Sequence, residues 1–328
     1  MGSPVNVLDG YYLAITLLVT VGYQLTGFAI AWTFQFDKIT DFTGGSNFFI
    51  LALLTLLLGQ EYHGRNILAS VFIMVWAARL AGFLLFRVLK TGSDTRFDDI
   101  RSHFFKFFGF WVGQILWVWV VSLPVTILNS PKVSAGVAPG FGTASDILGI
   151  IIWAFGWSIE TAADLQKFRY KSTNPPKEKP IDVGLWAWSR HPPYFGEILC
   201  WWGIWTLSIA PALGGTHNSG ARSALLGSLV SPLFTMILLL FGSGVPTAEK
   251  PVAQRFYKMA YPEDDTLTGH DHGERKPTNA AWANYQAYRG QTSILIPLPP
   301  TIYRALPLWV KRTVLFDLPM YEWTPGSQ

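Results

Sequence analysis

Seven apolar runs, each close to the length that crosses a bilayer, limit how this chain can fold more than any other feature. They cover roughly residues 11–34, 47–60, 66–86, 104–128, 145–163, 196–213 and 224–245. A helix needs about 20 mostly apolar residues to cross the hydrocarbon, and in lipid each segment must satisfy its own backbone N–H and C=O groups. The expectation is an all-α, polytopic membrane helix bundle of about seven transmembrane helices, one integral membrane domain over residues 1–328. The second run is short for a full span, so a tilted, broken or longer helix is expected there. Pro124, Pro211 and Pro232 fall within or near runs and are expected to kink them.

Composition agrees. Only 14% of the 328 residues are charged and 50% are hydrophobic, whereas a soluble domain carries about a quarter charged residues. The 15 Trp, 12 Tyr and 23 Phe suit membrane interfaces and apolar pockets. Cys200 is the only cysteine, so no intramolecular disulfide is possible; inside an apolar run it reads as a buried thiol. Residues 1–10 have no basic stretch and include Asp9, so no cleavable signal peptide is expected.

The net charge of +4 is explained by basic residues beside the apolar runs, and no nucleic-acid partner is expected. Arg87, Lys90, Arg96, Arg101 and Lys106 follow the third run. Lys167, Arg169, Lys171, Lys177, Lys179 and Arg190 follow the fifth, and Lys250, Arg255 and Lys258 follow the seventh. The loops between have only Lys132 and Arg222. The positive-inside rule puts the basic loops and the C-terminus in the cytosol and the N-terminus opposite, with the endoplasmic reticulum as the expected membrane. Residues 262–283 read as an exposed polar loop. His270, Asp271 and His272 within it could ligate a metal, but no further ligands stand at a defined spacing, so no metal is expected.

The chemistry gathers around the fifth-to-sixth loop. Glu160, Asp164, Lys167 and Lys171 follow one another at steps of four, three and four, which places them on one helix face. A salt-bridged helix end with snorkelling lysines would explain the lysines equally well; it explains Glu160, deeper in the run, less well. Three prolines in 174–180 exclude a helix there. Then comes Gly-Leu-Trp-Ala-Trp-Ser-Arg-His-Pro-Pro-Tyr-Phe-Gly-Glu over 184–197. Pro192 and Pro193 fix the backbone at the sixth run's entrance, Glu197 falls in its first turn where the helix dipole favours a carboxylate, and Tyr194 lies three residues before it. The planar fork of Arg190 suits a phosphate. An interfacial belt of aromatics and arginine is the plain alternative; it does not require Arg, His, two Pro, Tyr, Gly and Glu within eight residues.

These residues carry a resemblance. Ala-Asp-x-Gln-Lys-x-x-x-Lys over 163–171, followed by Gly-Leu-Trp-x-x-Ser-Arg-His-Pro-x-Tyr-Phe-Gly-Glu, resembles the C-terminal region of steroid 5-alpha-reductase-like membrane enzymes, closest to the DUF1295 branch. The stretches 76–87, 94–98, 243–250 and 288–297 resemble that branch's flanking signatures. The resemblance implies a membrane reductase in which NADPH, bound at the cytosolic side, gives hydride to a carbon–carbon double bond of a lipid-like substrate. By position it implies that Asp164, Lys167, Lys171, Trp186, Arg190, His191, Tyr194, Glu197, Glu249 and Lys250 bind the cofactor. Tyr194 and Glu197 are also the candidates for catalysis. The chain departs from the family at Pro193, where those enzymes have Asn, so one side-chain amide is missing. Glu61 and Tyr62 are a weaker pair for polarising substrate, because the topology puts them on the face away from the cofactor. Two other readings stay open: a membrane methyltransferase of the isoprenylcysteine or phospholipid type, which shares the Arg-His-Pro-x-Tyr-x-Gly core but binds S-adenosylmethionine, and a non-catalytic lipid-binding protein. The expected partners are a lipid-like small molecule and the bilayer, with no obligatory protein partner.

Overall fold

The computed structural model describes residues 3–35, 39–91, 102–262 and 276–325. Arg96, Arg101, the signature at 94–98 and His270, Asp271 and His272 lie outside them. Within them the helices are α1 Leu13–Thr33, α2 Thr40–Gly59, α3 Gly64–Thr91, α4 Phe104–Leu128, α5 Pro131–Ser134, α6 Ala144–Ser172, α7 Leu185–Trp188, α8 Pro192–Ser208, α9 Ala210–Gly214, α10 Ser219–Gly227, α11 Val230–Phe241, α12 Val245–Ala260, α13 Ala281–Gln291, α14 Pro300–Ala305 and α15 Leu308–Thr313. No strand occurs among the described residues, only isolated bridges. The chain is an all-α helix bundle.

Among the described residues six stretches are long and apolar enough to cross a membrane: Leu13–Thr33, Thr40–Gly59, Gly64–Phe83, Phe104–Ser134, Ala144–Ser172 and the interrupted Ser219–Ala260. They fit an integral, multi-pass membrane protein. The sixth apolar run forms α8, 17 residues and so about 25 Å long. It stops at Ser208 because Pro211, in the first turn of α9, lacks the N–H that would continue it. The seventh run is also divided, into α10, α11 and α12. The second run is the longer helix that its shortness allowed, 20 residues beginning at Thr40. Composition hides its first turns, which are rich in Thr, Gly and Ser. Their polar groups find partners without water: the Thr43 hydroxyl donates to the Ile39 and Thr40 carbonyls, and from α1 Gln24 Nε2 donates to Asn47 Oδ1 at 3.1 Å. The polar loop expected over 262–283 lies mostly outside the described residues, and its last three residues already belong to α13.

Two compact units are present, residues 1–154 with 200–235 and residues 155–199 with 236–328; the division falls within α6 and α8 rather than at a linker. In the first unit Phe48, Trp76 and Trp201 are fully buried and meet with ring centroids 5.0–5.3 Å apart. A buried bidentate pair, Arg65 Nε to Asp146 Oδ1 at 2.6 Å and Nη2 to Oδ2 at 2.8 Å, caps the start of α6. Further along, α6 and α8 touch backbone to backbone: a Cβ on Gly203 would stand 2.6 Å from the Trp153 nitrogen and 2.8 Å from the Gly149 oxygen. Without a hydrophobic force between helices in lipid, such close approach supplies the packing that holds them. In the second unit the core is aromatic: Phe256 and Tyr285 stack at 5.0 Å, and Tyr257 and Trp323 meet edge to face at 5.4 Å.

Gly203→Leu should therefore lower the thermal stability of the detergent-solubilised protein by about 1–3 kcal/mol or more, the cost of overpacking. Gly113→Leu, at an exposed α4 position with nothing within 4 Å of the added Cβ, should leave it unchanged. Equal effects would remove the close-packing account.

Candidate functional site

The 184–197 segment is fastened to α6 before it reaches its charged residues. Gly184 takes φ +56°, and a Cβ there would stand 2.6 Å from the Gln166 side chain; only glycine combines that conformation with that approach. Leu185 N–H donates to Gln166 Oε1 (2.8 Å), and the buried Trp186 indole N–H donates to the Ala163 carbonyl (2.9 Å). Lys167 Nζ lies 4.7 Å over the Trp186 ring. The Tyr288 hydroxyl donates to the Trp186 carbonyl at 2.8 Å. The Gly-Leu-Trp part of the signature thus serves as a clamp.

Residues 189–191 then run alongside 293–295. Arg190 N–H donates to the Ser293 carbonyl (2.8 Å), His191 N–H to the Ile294 carbonyl (3.1 Å), and the Ser189 hydroxyl to the Leu295 carbonyl (2.7 Å). This pairing fixes the backbone from which the buried Arg190 and His191 side chains extend. α8 begins at once, with Pro192 and Pro193 in its first turn, where a missing N–H costs nothing because that group has no intrahelical partner anyway. Pro193 in place of Asn is therefore structurally suited to its position.

The centre of the site is Glu249, on α12. Arg190 Nη1 donates to its Oε2 at 2.7 Å, and His191 Nε2 to its Oε1 at 2.8 Å, the ionised carboxylate acting only as acceptor. Arg190 Nη2 donates to Asp317 Oδ1 at 2.7 Å, and the Tyr303 hydroxyl donates to Asp317 Oδ2. The His191 ring stacks on Tyr194 with centroids 5.2 Å apart and planes at 8°. Arg190, His191 and Glu249 are 4%, 9% and 5% exposed. Burial disfavours the guanidinium's charge, yet the Glu249 and Asp317 carboxylates outweigh that and raise the Arg190 pKa above its ordinary value. Burial also pushes the Tyr285 and Tyr288 phenols well above the usual range, so both remain protonated at neutral pH.

Of the sequence-predicted residues, the structure brings together Arg190, His191 and Glu249, stacks Tyr194 on His191, and lays Lys167 over Trp186. Both Arg190 Nη atoms are engaged with carboxylates, so its fork faces Glu249 and Asp317 and does not stand open toward a phosphate. Asp164 and Glu197 are half-buried, on α6 and in the first turns of α8; Lys171 and Lys250 are exposed. An open groove of about 420 Å³ lies along α12, lined by Pro251, Gln254, Arg255, Lys258 and Met259. Sequence reasoning missed Asp317, Tyr303 and Tyr285; the one signal available was an acid standing alone in Val-Leu-Phe-Asp-Leu-Pro over 314–319. Among the described residues no group of His, Cys, Asp and Glu could hold a metal ion.

A family model described as "Protein of unknown function (DUF1295)" matches residues 27–264, and the chain belongs to that family. No curated protein matches. No solved structure matches.

Arg190→Met should destabilise the protein by about 3–5 kcal/mol, because it leaves Glu249 buried without its cation. Arg190→Lys keeps the charge but loses the two-pronged geometry and should cost distinctly less. Denaturant titration in detergent micelles separates the two; equal losses would mean that the charge pairing is not what holds these segments.

Proposed function

We propose that this DUF1295-family chain is a membrane-embedded, NADPH-dependent reductase of a carbon–carbon double bond in a lipid-like substrate. The observation that carries the proposal is the meeting of Arg190, His191 and Glu249. Three positions that the family resemblance implies for cofactor binding, two of them 58 and 59 residues from the third in sequence, converge on one carboxylate. A belt of side chains facing headgroups would leave them apart and exposed.

The residues divide by what their surroundings permit. Arg190 is a positioning residue: it fixes Glu249 and Asp317, and through them α12 and the chain after α15. Phosphates are assigned to exposed cations: Arg255 and Lys258 in the α12 groove, Lys250 on the same helix and Lys171 at the end of α6. A charged rim of this kind suits a dinucleotide phosphate, since each charge-assisted contact is worth about 1.5–3 kcal/mol. His191, held by Glu249 and stacked on Tyr194, has a fixed ring orientation. Tyr194 and Glu197 stand at the start of α8, and orientation of the nicotinamide end is assigned to them. Polar donors left without a protein partner, Arg190 Nε and the buried Tyr285 and Ser293 hydroxyls, fit a polar ligand at this site. When bound, NADPH supplies the hydride. The chain's own contribution is to orient the two reactants and to keep water out. The cytosolic placement of the site, with the C-terminus on the same side in the endoplasmic reticulum membrane, belongs to the same proposal and is supported by the distribution of Lys and Arg.

Two titrations test it. Purified protein in detergent should bind NADPH saturably and S-adenosylmethionine without saturation; the reverse would favour the methyltransferase. Lys250→Ala, at an exposed position, should weaken NADPH binding by about tenfold with the fold intact. If NADPH binds and is not consumed with any enone, dienone or enoyl lipid, the chain is a lipid-binding protein and not a reductase. Comparison of lipid extracts from a deletion strain and its parent should reveal the accumulating unsaturated substrate.

A further inference from the structure

Helices α14 and α15 carry a surface that the site does not use. The segment 300–314 is held at its two ends. Tyr303 is buried with its hydroxyl on Asp317, and Leu315, just past α15, is buried again. Between these anchors α15 buries no residue at all. At about 100° per residue, Leu308, Trp309, Arg312 and Thr313 share one side of α15. Lys311 turns the other way, its Nζ 4.6 Å over the Tyr303 ring. Leu308, Trp309 and Val314 are 59%, 67% and 55% exposed, and Ile302 on α14 is 50% exposed. Exposed large apolar residues are unremarkable singly; gathered on two short helices they mark an interaction surface. Charge identifies what it meets. From 300 to 314 the basic residues are Arg304, Lys311 and Arg312, and there is no acid.

We propose that residues 300–314 form an interfacial foot that lies in the anionic headgroup layer of the bilayer in which the chain is embedded. Trp and Leu sit at the depth where headgroup meets hydrocarbon, and the exposed Arg304 and Arg312 pair with lipid phosphates and carboxylates. A protein partner would need no such uniform positive charge beside an exposed Trp. The foot also bears on the buried network, because Asp317 follows it by three residues and holds Arg190. None of this depends on the reductase reading; it requires only a membrane.

The test uses the full chain with Cys200→Ser and a nitroxide on Thr313→Cys, or on Val314→Cys should the first misfold. The protein is reconstituted in phosphatidylcholine alone and in an equal mixture with phosphatidylserine. The expected result is a label more accessible to oxygen than to an aqueous nickel chelate, with the contrast stronger in phosphatidylserine. Arg304→Glu with Arg312→Glu should reduce the phosphatidylserine preference by about fivefold per cation lost, the worth of one basic residue at an anionic surface. A label that stays open to the nickel chelate in both lipids overturns the foot. Immersion that is identical in both lipids and indifferent to charge reversal overturns the assignment to anionic headgroups.

Discussion

A guanidinium held away from water between two carboxylates is the interaction on which the second unit depends. Arg190 is 4% exposed and makes 2.7 Å contacts with both Glu249 and Asp317. Removing such a charge from water costs several kcal/mol, and the cost is recovered only when the geometry is good and the remaining valences are filled. Here both Arg190 Nη atoms and the oxygens of both carboxylates are engaged, and Arg190 Nε alone is left without a protein partner. His191 takes the second oxygen of Glu249, Tyr303 takes the second oxygen of Asp317, and the Arg190 and His191 backbones are fixed by Ser293 and Ile294. The network therefore specifies more than it stabilises. The 189–191 segment, α12 and the 317 region must be placed together for Arg190, His191 and Tyr303 to meet both carboxylates, and arrangements that leave either carboxylate unmet are costly.

That reading changes what the arginine of the signature is for. In the sequence, Arg190 stands at the mouth of an apolar run, where its planar fork is suited to phosphate. In the structure the fork is occupied by two carboxylates, and solvent-exposed cations lie on α12. A buried charge with fixed partners suits preorganisation, since groups locked by packing and hydrogen bonds do not have to reorganise when a ligand arrives. Loss of Arg190 would then act through Glu249 and His191 instead of through one lost ligand contact.

The helices were legible because lipid imposes a simple rule. α4 matches its apolar run residue for residue, 104–128, and α1 and α6 begin within two residues of theirs. What composition concealed was helix built from small polar residues, as at the start of α2, where Thr and Ser hydroxyls bond back to carbonyls of the preceding turn and so need no water. The breaks in the last two runs follow from proline and glycine, whose positions were visible but whose effect depends on neighbours. The site was partly legible for a similar reason. A motif records residues close in sequence, so Arg190, His191 and Tyr194 stood out together. Asp317 lies 127 residues from Arg190, and no local pattern links them. The same holds for Tyr285 and Tyr303, whose roles exist only once α13 and α14 are folded against the 189–191 segment.

Distance in sequence also explains why the clamp precedes the charges. Arg190 cannot find two buried carboxylates unless its backbone is already placed, because a long flexible side chain loses about 2 kcal/mol of rotamer freedom on ordering. Gly184, Gln166 and Trp186 do that placing with neutral contacts: a left-handed turn, an amide-to-backbone bond and an indole N–H on a helix carbonyl. Such contacts do not depend on the ionisation of any partner. The neutral half of the signature fixes the chain to α6, and the charged half meets Glu249. It follows that the tryptophan and glycine of this motif matter to the site even though neither presents a polar group to it: they fix the backbone from which the buried cation reaches its carboxylates.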